Sequence, residues 1–240
     1  YPDRSYTALR TAIAELHGVA TDQVFAANGS NEVLQTLLLA YGGPGRAAAV
    51  FEPTYALHGH IARVTGTAVC AGERAPDLTL DLDEVRRVLE EHEPVVTFLC
   101  SPNNPTGMVD APEAVAAVAD MAPGLLVVDE AYGQFARWSA LELVGEGRDV
   151  AVTRTFSKTW SMAAGRLGYL VGPSWLVAEL DKVVLPYHLD AVTQAAGTLA
   201  VAFVDETEAR VARLVEERGR LVAALRELPV DVWPSEANFV

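Results

Sequence analysis

Lys158 is one of only two lysines in a chain of 240 residues, and it stands in Thr155-Phe156-Ser157-Lys158 just beyond the apolar run Asp149-Val150-Ala151-Val152. A strand end flanked by hydroxyls is a place for an amine that condenses with an aldehyde. Lysine and arginine total 18, so arginine supplies nearly all the positive charge. A guanidinium stays protonated and cannot take over an amine's nucleophilic role. Arg166 follows Lys158 by eight residues. Asp129-Glu130-Ala131-Tyr132 closes another apolar run, Leu125 to Val128, and Ser101-Pro102-Asn103-Asn104-Pro105-Thr106-Gly107 closes a third, Val95 to Cys100. Ligands of open α/β sheets bind beyond the carboxyl ends of the strands, so three polar clusters at three such ends describe one pocket.

The elements that must hold these residues are legible as alternating patterns. Gln23–Ala27, Ala47–Phe51, Ala68–Cys70, Val95–Cys100, Leu125–Asp129, Val150–Thr153 and Leu167–Val171 are expected strands. Tyr6–Leu16, Glu32–Ala40, Tyr55–Val64, Leu82–Glu91 and Pro112–Met121 have helical spacing between them. This βα series predicts an α/β fold with a mostly parallel sheet. From about Trp175 the texture changes to long helices, with a helix expected over Val201–Leu228 and a new strand beginning at Val230-Asp231-Val232-Trp233. A chain that opens at Tyr1-Pro2-Asp3 and stops at Asn238-Phe239-Val240, inside an apparent strand, reads as a segment of a longer one.

Composition narrows the partners. Half the residues are apolar, enough for a sizeable core. A formal charge of −14 argues against nucleic acid or an anionic membrane surface, since both reward basic patches. Cys70 and Cys100 are isolated on apolar stretches, too few for a disulfide framework or a metal cluster, so no metal is expected. No apolar run approaches the roughly 18 residues of a membrane span, and no signal-like segment opens the chain, so a cytoplasmic location is expected.

Seven motifs in order, Tyr-Pro-Asp, Asn-Gly-Ser-Asn-Glu, Pro-Thr-Tyr, Ser-Pro-Asn-Asn-Pro-Thr-Gly, Asp-Glu-Ala-Tyr, Thr-Phe-Ser-Lys and Arg-Leu-Gly-Tyr, resemble the pyridoxal-phosphate aminotransferases of fold type I. Among these the chain is most similar to the histidinol-phosphate aminotransferases. The resemblance spans nearly the whole chain and implies a cofactor-binding large domain over residues 1–205, then an interdomain helix and the start of a smaller α+β domain over 206–240. It implies that Lys158 holds the cofactor and then carries a proton for the substrate. Asp129 would face the pyridine nitrogen, Tyr132 and Asn104 the 3′-oxygen, and Tyr55 the ring face. Ser30, Asn31, Thr155, Ser157 and Arg166 would bind the phosphate, joined by Tyr1 from a partner subunit of a homodimer. It also implies a cis Asn104–Pro105 bond.

Taken singly, most of these residues have a plainer reading. Asp129 alone could cap a helix, Tyr55 and Tyr132 could be core aromatics, and Asn-Pro-x-Gly is ordinary turn chemistry. Arg166 alone could serve a structural ion pair, a Gly-Ser before a helix is usually only a cap, and His188, in Leu185-Pro186-Tyr187-His188-Leu189, reads as structural. Amino transfer from histidinol phosphate to 2-oxoglutarate is the first functional expectation. Its rivals are an aromatic amino-acid aminotransferase, a phosphothreonine decarboxylase-like lyase, and a non-catalytic relative that keeps the fold for binding. Retention of Lys158, Asp129, Asn104, Tyr132 and Arg166 together argues against the last.

Overall fold

The computed structural model describes residues 1–145 and 147–240. Among the described residues eight α-helices and seven strands follow one another as α1 (Thr7–His17), β1 (Val24–Ala27), α2 (Ser30–Tyr41), β2 (Ala47–Glu52), α3 (Leu57–Val64), β3 (Ala68–Glu73), α4 (Leu82–His92), β4 (Val96–Cys100), α5 (Pro112–Met121), β5 (Leu125–Asp129), β6 (Val150–Thr155), β7 (Gly168–Val171), α6 (Ser174–Val183), α7 (Ala191–Val201) and α8 (Val204–Leu225). Local chemistry sets several boundaries. The Asp81 carboxylate accepts from the amides of Asp83 and Glu84 to start α4, Asp190 does the same for Val192 and Thr193 at α7, and Pro112 occupies the first turn of α5.

The seven strands form one sheet in the order β1-β7-β6-β5-β4-β2-β3. β2, β3, β4, β5 and β6 run parallel, while β7 is antiparallel to both neighbours, β1 and β6. Both faces are covered. Along β5, Leu125 and Val127 enter the core beneath α2, α3 and α6, whereas Leu126 and Val128 enter the core beneath α4 and α5. Period-two alternation between two apolar faces is why this strand reads as a continuous hydrophobic run. Tyr6, Leu9 and Ile13 of the α1 region join Phe156, Trp160 and Tyr169 in a third cluster.

Two expectations at the C-terminal end are corrected. The helix expected over Val201–Leu228 is two, because α7 ends at Val201 and α8 starts at Val204, with a short turn through Ala202 and Phe203. Val230–Trp233 does not form a strand: it pairs with neither sheet edge, β1 or β3, and a strand exists only with a ladder partner. The chain beyond it is pinned to loops instead. The Glu236 amide donates to the Gly107 carbonyl at 2.7 Å and the Arg137 amide donates to the Glu236 carboxylate at 2.8 Å.

Candidate active site

Four parallel strands deliver their carboxyl ends to one side of the sheet: β2 at Glu52, β4 at Cys100, β5 at Asp129 and β6 at Thr155. A cavity of about 250 Å³ opens there. Ser30, Asn31, Tyr55, Asn104, Asp129, Tyr132, Thr155, Ser157, Lys158 and Arg166 all line it. Of the expected site residues only Tyr1 lies elsewhere, exposed and with its ring 5.1 Å from that of Tyr187.

Asp129 is 1% exposed at the floor of this cavity. One carboxylate oxygen accepts from the Ala131 amide at 3.1 Å and the other meets Nε2 of His58 at 3.0 Å. A carboxylate only accepts, so Nε2 must be the nitrogen that carries a proton. His58 is itself fully enclosed, stacked on Phe98 at 4.9 Å and edge-on to Tyr55 at 5.4 Å. The imidazole thus aims the carboxylate from behind, and the sequence reading missed it. Its only signal was a histidine three positions after Tyr55, on what scans as the interior of a helix.

Lys158 reaches the same space from the far end of β6, its ammonium 5.0 Å from the centroid of the Tyr132 ring. It forms no ion pair among the described residues, so no carboxylate competes for the amine. Tyr132 is held edge-on against Phe239, with ring centroids 5.1 Å apart. The Tyr55 hydroxyl donates to the Asn31 side chain at 3.3 Å, and burial raises its pKa, helped by the negative charge of Asp129.

The turn between β4 and α5 assigns its two asparagines different tasks. Asn103 is buried and donates to the Pro53 carbonyl at 2.9 Å, fastening the turn to the end of β2. Asn104 lines the cavity, and the Asn104–Pro105 bond is cis as the resemblance implies.

On the opposite wall α2 begins at Ser30 without any side-chain cap, behind Gly29 at φ 84°. A Cβ on Gly29 would fall 2.5 Å from Nη2 of Arg166, so glycine is required for the guanidinium to lie against the helix start. Arg166, itself at φ 46°, donates to the Ala163 carbonyl at 3.0 Å and has no carboxylate partner among the described residues. Thr155 and Ser157 hydroxyls lie 3.0 Å apart beside it. An uncapped helix N-terminus, an unneutralised guanidinium and two hydroxyls on one wall fit a phosphate group. The pyridoxal phosphate implied by the motifs therefore fits the residues present.

His188 behaves as a structural histidine. Its Nε2 meets the Ala26 carbonyl at 2.8 Å and its own carbonyl accepts from the Asn28 side chain at 2.8 Å, which ties the loop before α7 to β1.

The family model of class I and II aminotransferases matches residues 1–240. The chain belongs to that family. Among curated aminotransferases it is 49% identical to the histidinol-phosphate aminotransferase of Thermobifida fusca (strain YX), covering 100% of this chain and 67% of that one. It is 46% identical to the histidinol-phosphate aminotransferase of Streptomyces avermitilis, covering 100% and 68%. The chain thus spans about two thirds of the length of these relatives. Two solved aminotransferases share its fold. The histidinol-phosphate aminotransferase of Sinorhizobium meliloti, in complex with pyridoxal-5′-phosphate, superposes with a TM-score of 0.91 at 23% identity over 99% of this chain and 66% of that one. The N-succinyldiaminopimelate aminotransferase of Mycobacterium tuberculosis gives 0.82 at 25% over 95% and 65%. Among the described residues no helix is long and apolar enough to cross a membrane.

Proposed function

We propose that this aminotransferase binds pyridoxal phosphate in the cavity at the strand ends and moves the amino group of histidinol phosphate to 2-oxoglutarate, leaving imidazole acetol phosphate and glutamate. The observation that carries the cofactor reading is the meeting, in one cavity, of a buried carboxylate with an amine and a guanidinium that have no counter-ion among the described residues. The substrate reading rests on the names of the relatives at 46–49% identity.

When bound, the cofactor supplies an aldehyde that captures a primary amine and a ring that accepts the electrons released as the Cα proton leaves. Lys158 would hold the cofactor aldehyde at rest and, once an incoming amine takes its place, its Nζ would carry the proton that leaves the substrate Cα. Asp129, fixed by His58 and the Ala131 amide, keeps a proton on the pyridine nitrogen. Asn104 and Tyr132 orient the ring oxygen and Tyr55 covers the ring face. Arg166, Ser30, Asn31, Thr155 and Ser157 anchor the phosphate, so the reacting carbon stays within reach of one amine. Tyr1 stands outside its own chain's cavity, and we assign it to the phosphate of a second copy in a homodimer. Residues 1–205 form the cofactor domain in this reading, with 206–240 leading towards a smaller one.

Steady-state turnover of the full-length protein with histidinol phosphate and with phenylalanine as amino donor tests the reading. The kcat/KM for histidinol phosphate is expected to exceed that for phenylalanine by about 10⁴-fold or more, the discrimination that a site built to hydrogen-bond polar groups reaches against an analogue lacking them. Equal or inverted values would replace it with the aromatic aminotransferase. Borohydride treatment of cofactor-loaded protein should fix the label on Lys158, and a label on Lys182 would sink the assignment of the amine.

A further inference from the structure

A second cavity, of about 500 Å³, lies under α8 between α1 and the segment after β5. None of its lining residues belongs to the aminotransferase cavity. Its size falls in the roughly 300–1,000 Å³ span of small-molecule sites. The walls divide by chemistry. Leu16, Phe135, Val204, Val211 and Val215 give an apolar lining, while Arg137, Arg154 and Arg218 bring positive charge against a single carboxylate, Glu208.

These arginines differ in commitment. Arg154 is neutralised by Glu130, with Nη2 2.7 Å from its carboxylate. Arg137 approaches Glu236 only at 4.0 Å and its side chain is 91% exposed. Arg218, half-buried, spends its Nη1 on the backbone carbonyls of Ala237 at 2.7 Å and Phe135 at 3.4 Å. Burial lowers its pKa, Glu236 pulls it back up and Arg137 lowers it further.

Trp160, 6% exposed, completes the wall of this cavity.

We propose that this cavity is a second small-molecule site, which takes a small carboxylate with an apolar body, the carboxylate paired with Arg218 and Arg137 and the body lodged against Phe135, Val211 and Val215. The site does not rest on the amino-transfer reading, since it shares no residue with that cavity.

The test is titration of the full-length, cofactor-loaded protein with 3-phenylpropionate, followed by calorimetry and by saturation-transfer NMR. The neutral 3-phenylpropanamide serves as the control that needs no variant. Saturable binding of the carboxylate is expected, with the amide weaker by about tenfold or more, the value of one hydrogen bond to a charged group. Arg218→Met should weaken the carboxylate by a similar factor and leave the amide unchanged, while Val211→Trp, which fills the apolar side, should abolish binding of both. Unchanged visible absorption of the bound cofactor in each variant reports an intact fold and an intact first cavity. Equal binding of acid and amide, indifference to Arg218→Met, or no saturable binding by wild type at millimolar probe would overturn the proposal. Loss of amino transfer with binding retained would instead strike only the functional reading.

Discussion

In the proposed function Arg166 and Asp129 would anchor opposite ends of the cofactor, and their different surroundings predict different failures. Removing the guanidinium in Arg166→Ala takes one partner from a charge-assisted contact, which typically costs about 2–5 kcal/mol of affinity. Cofactor binding, followed by its visible absorption, should weaken steeply. Asp129→Asn keeps the shape and the approach of His58 but ends the role of the carboxylate at the ring nitrogen, so turnover per bound cofactor should fall far more than affinity. Equal losses of affinity with equal rates per bound cofactor would refute the division of roles. Lys158, Asp129 and Asn104 were legible because each follows an apolar run, and the end of a buried parallel strand is where a polar residue gains access to a ligand. His58 was not legible. Its partner is 71 positions away and the pairing depends on how α3 packs on the sheet, which no local pattern encodes.

Among elements, the contact between β7 and α2 decides whether the phosphate wall can form. A Cβ on Gly168 would collide with the Ser30 amide nitrogen and the Gly29 carbonyl carbon, and backbone cannot move aside as a flexible side chain can. Gly168→Ala should therefore push the start of α2 away from Arg166, costing about 1–3 kcal/mol of stability as overpacking does and weakening the cofactor as well. A melting temperature and cofactor affinity both equal to wild type would show that α2 tolerates the shift. The contact between α1 and β7 makes a pH prediction. Nε2 of His17 lies 2.8 Å from the Tyr169 hydroxyl, and its pKa is pushed down to about 3, first by burial and then by the charge of Arg154. The unfolded chain, with a histidine near 6.5, binds more protons than the folded one below that pH, so stability must decline as pH falls through 6.5. Between pH 6.5 and about 5, above the carboxylate range, the melting temperature of His17→Gln should fall less steeply than that of wild type. Parallel slopes would remove His17 as the source. Strand positions were readable from alternation. Strand order and the failure of Val230–Trp233 to pair were not, because a ladder partner is chosen by the whole sheet.

At the scale of the molecule, the two strands that carry the acid and the amine are clamped together by a buried ion pair. Glu130, directly after Asp129, accepts from Arg154 of β6 at 2.7 and 3.1 Å and from the Ala140 amide at 2.6 Å. The Ser139 hydroxyl donates to the same carboxylate at 2.8 Å. Both side chains are almost wholly enclosed, at 2% and 9% exposure. In such a place the loss of one partner hurts more than the pair helps, because the survivor keeps a charge with neither water nor a counter-ion. Arg154→Met should cost about 3–5 kcal/mol. For a chain of this length that lowers the melting temperature by roughly 6–20 °C. Restoring neutrality by adding Glu130→Gln to Arg154→Met should recover part of that loss, since the uncompensated carboxylate is then gone while the amide still reaches Ser139 and Ala140. The double-mutant cycle separates a coupled pair from two independent packing defects. Additive losses in the double variant would mean that the ion pair contributes nothing beyond the volume of its side chains, and that packing between β5 and β6 alone holds Asp129 and Lys158 over one cavity.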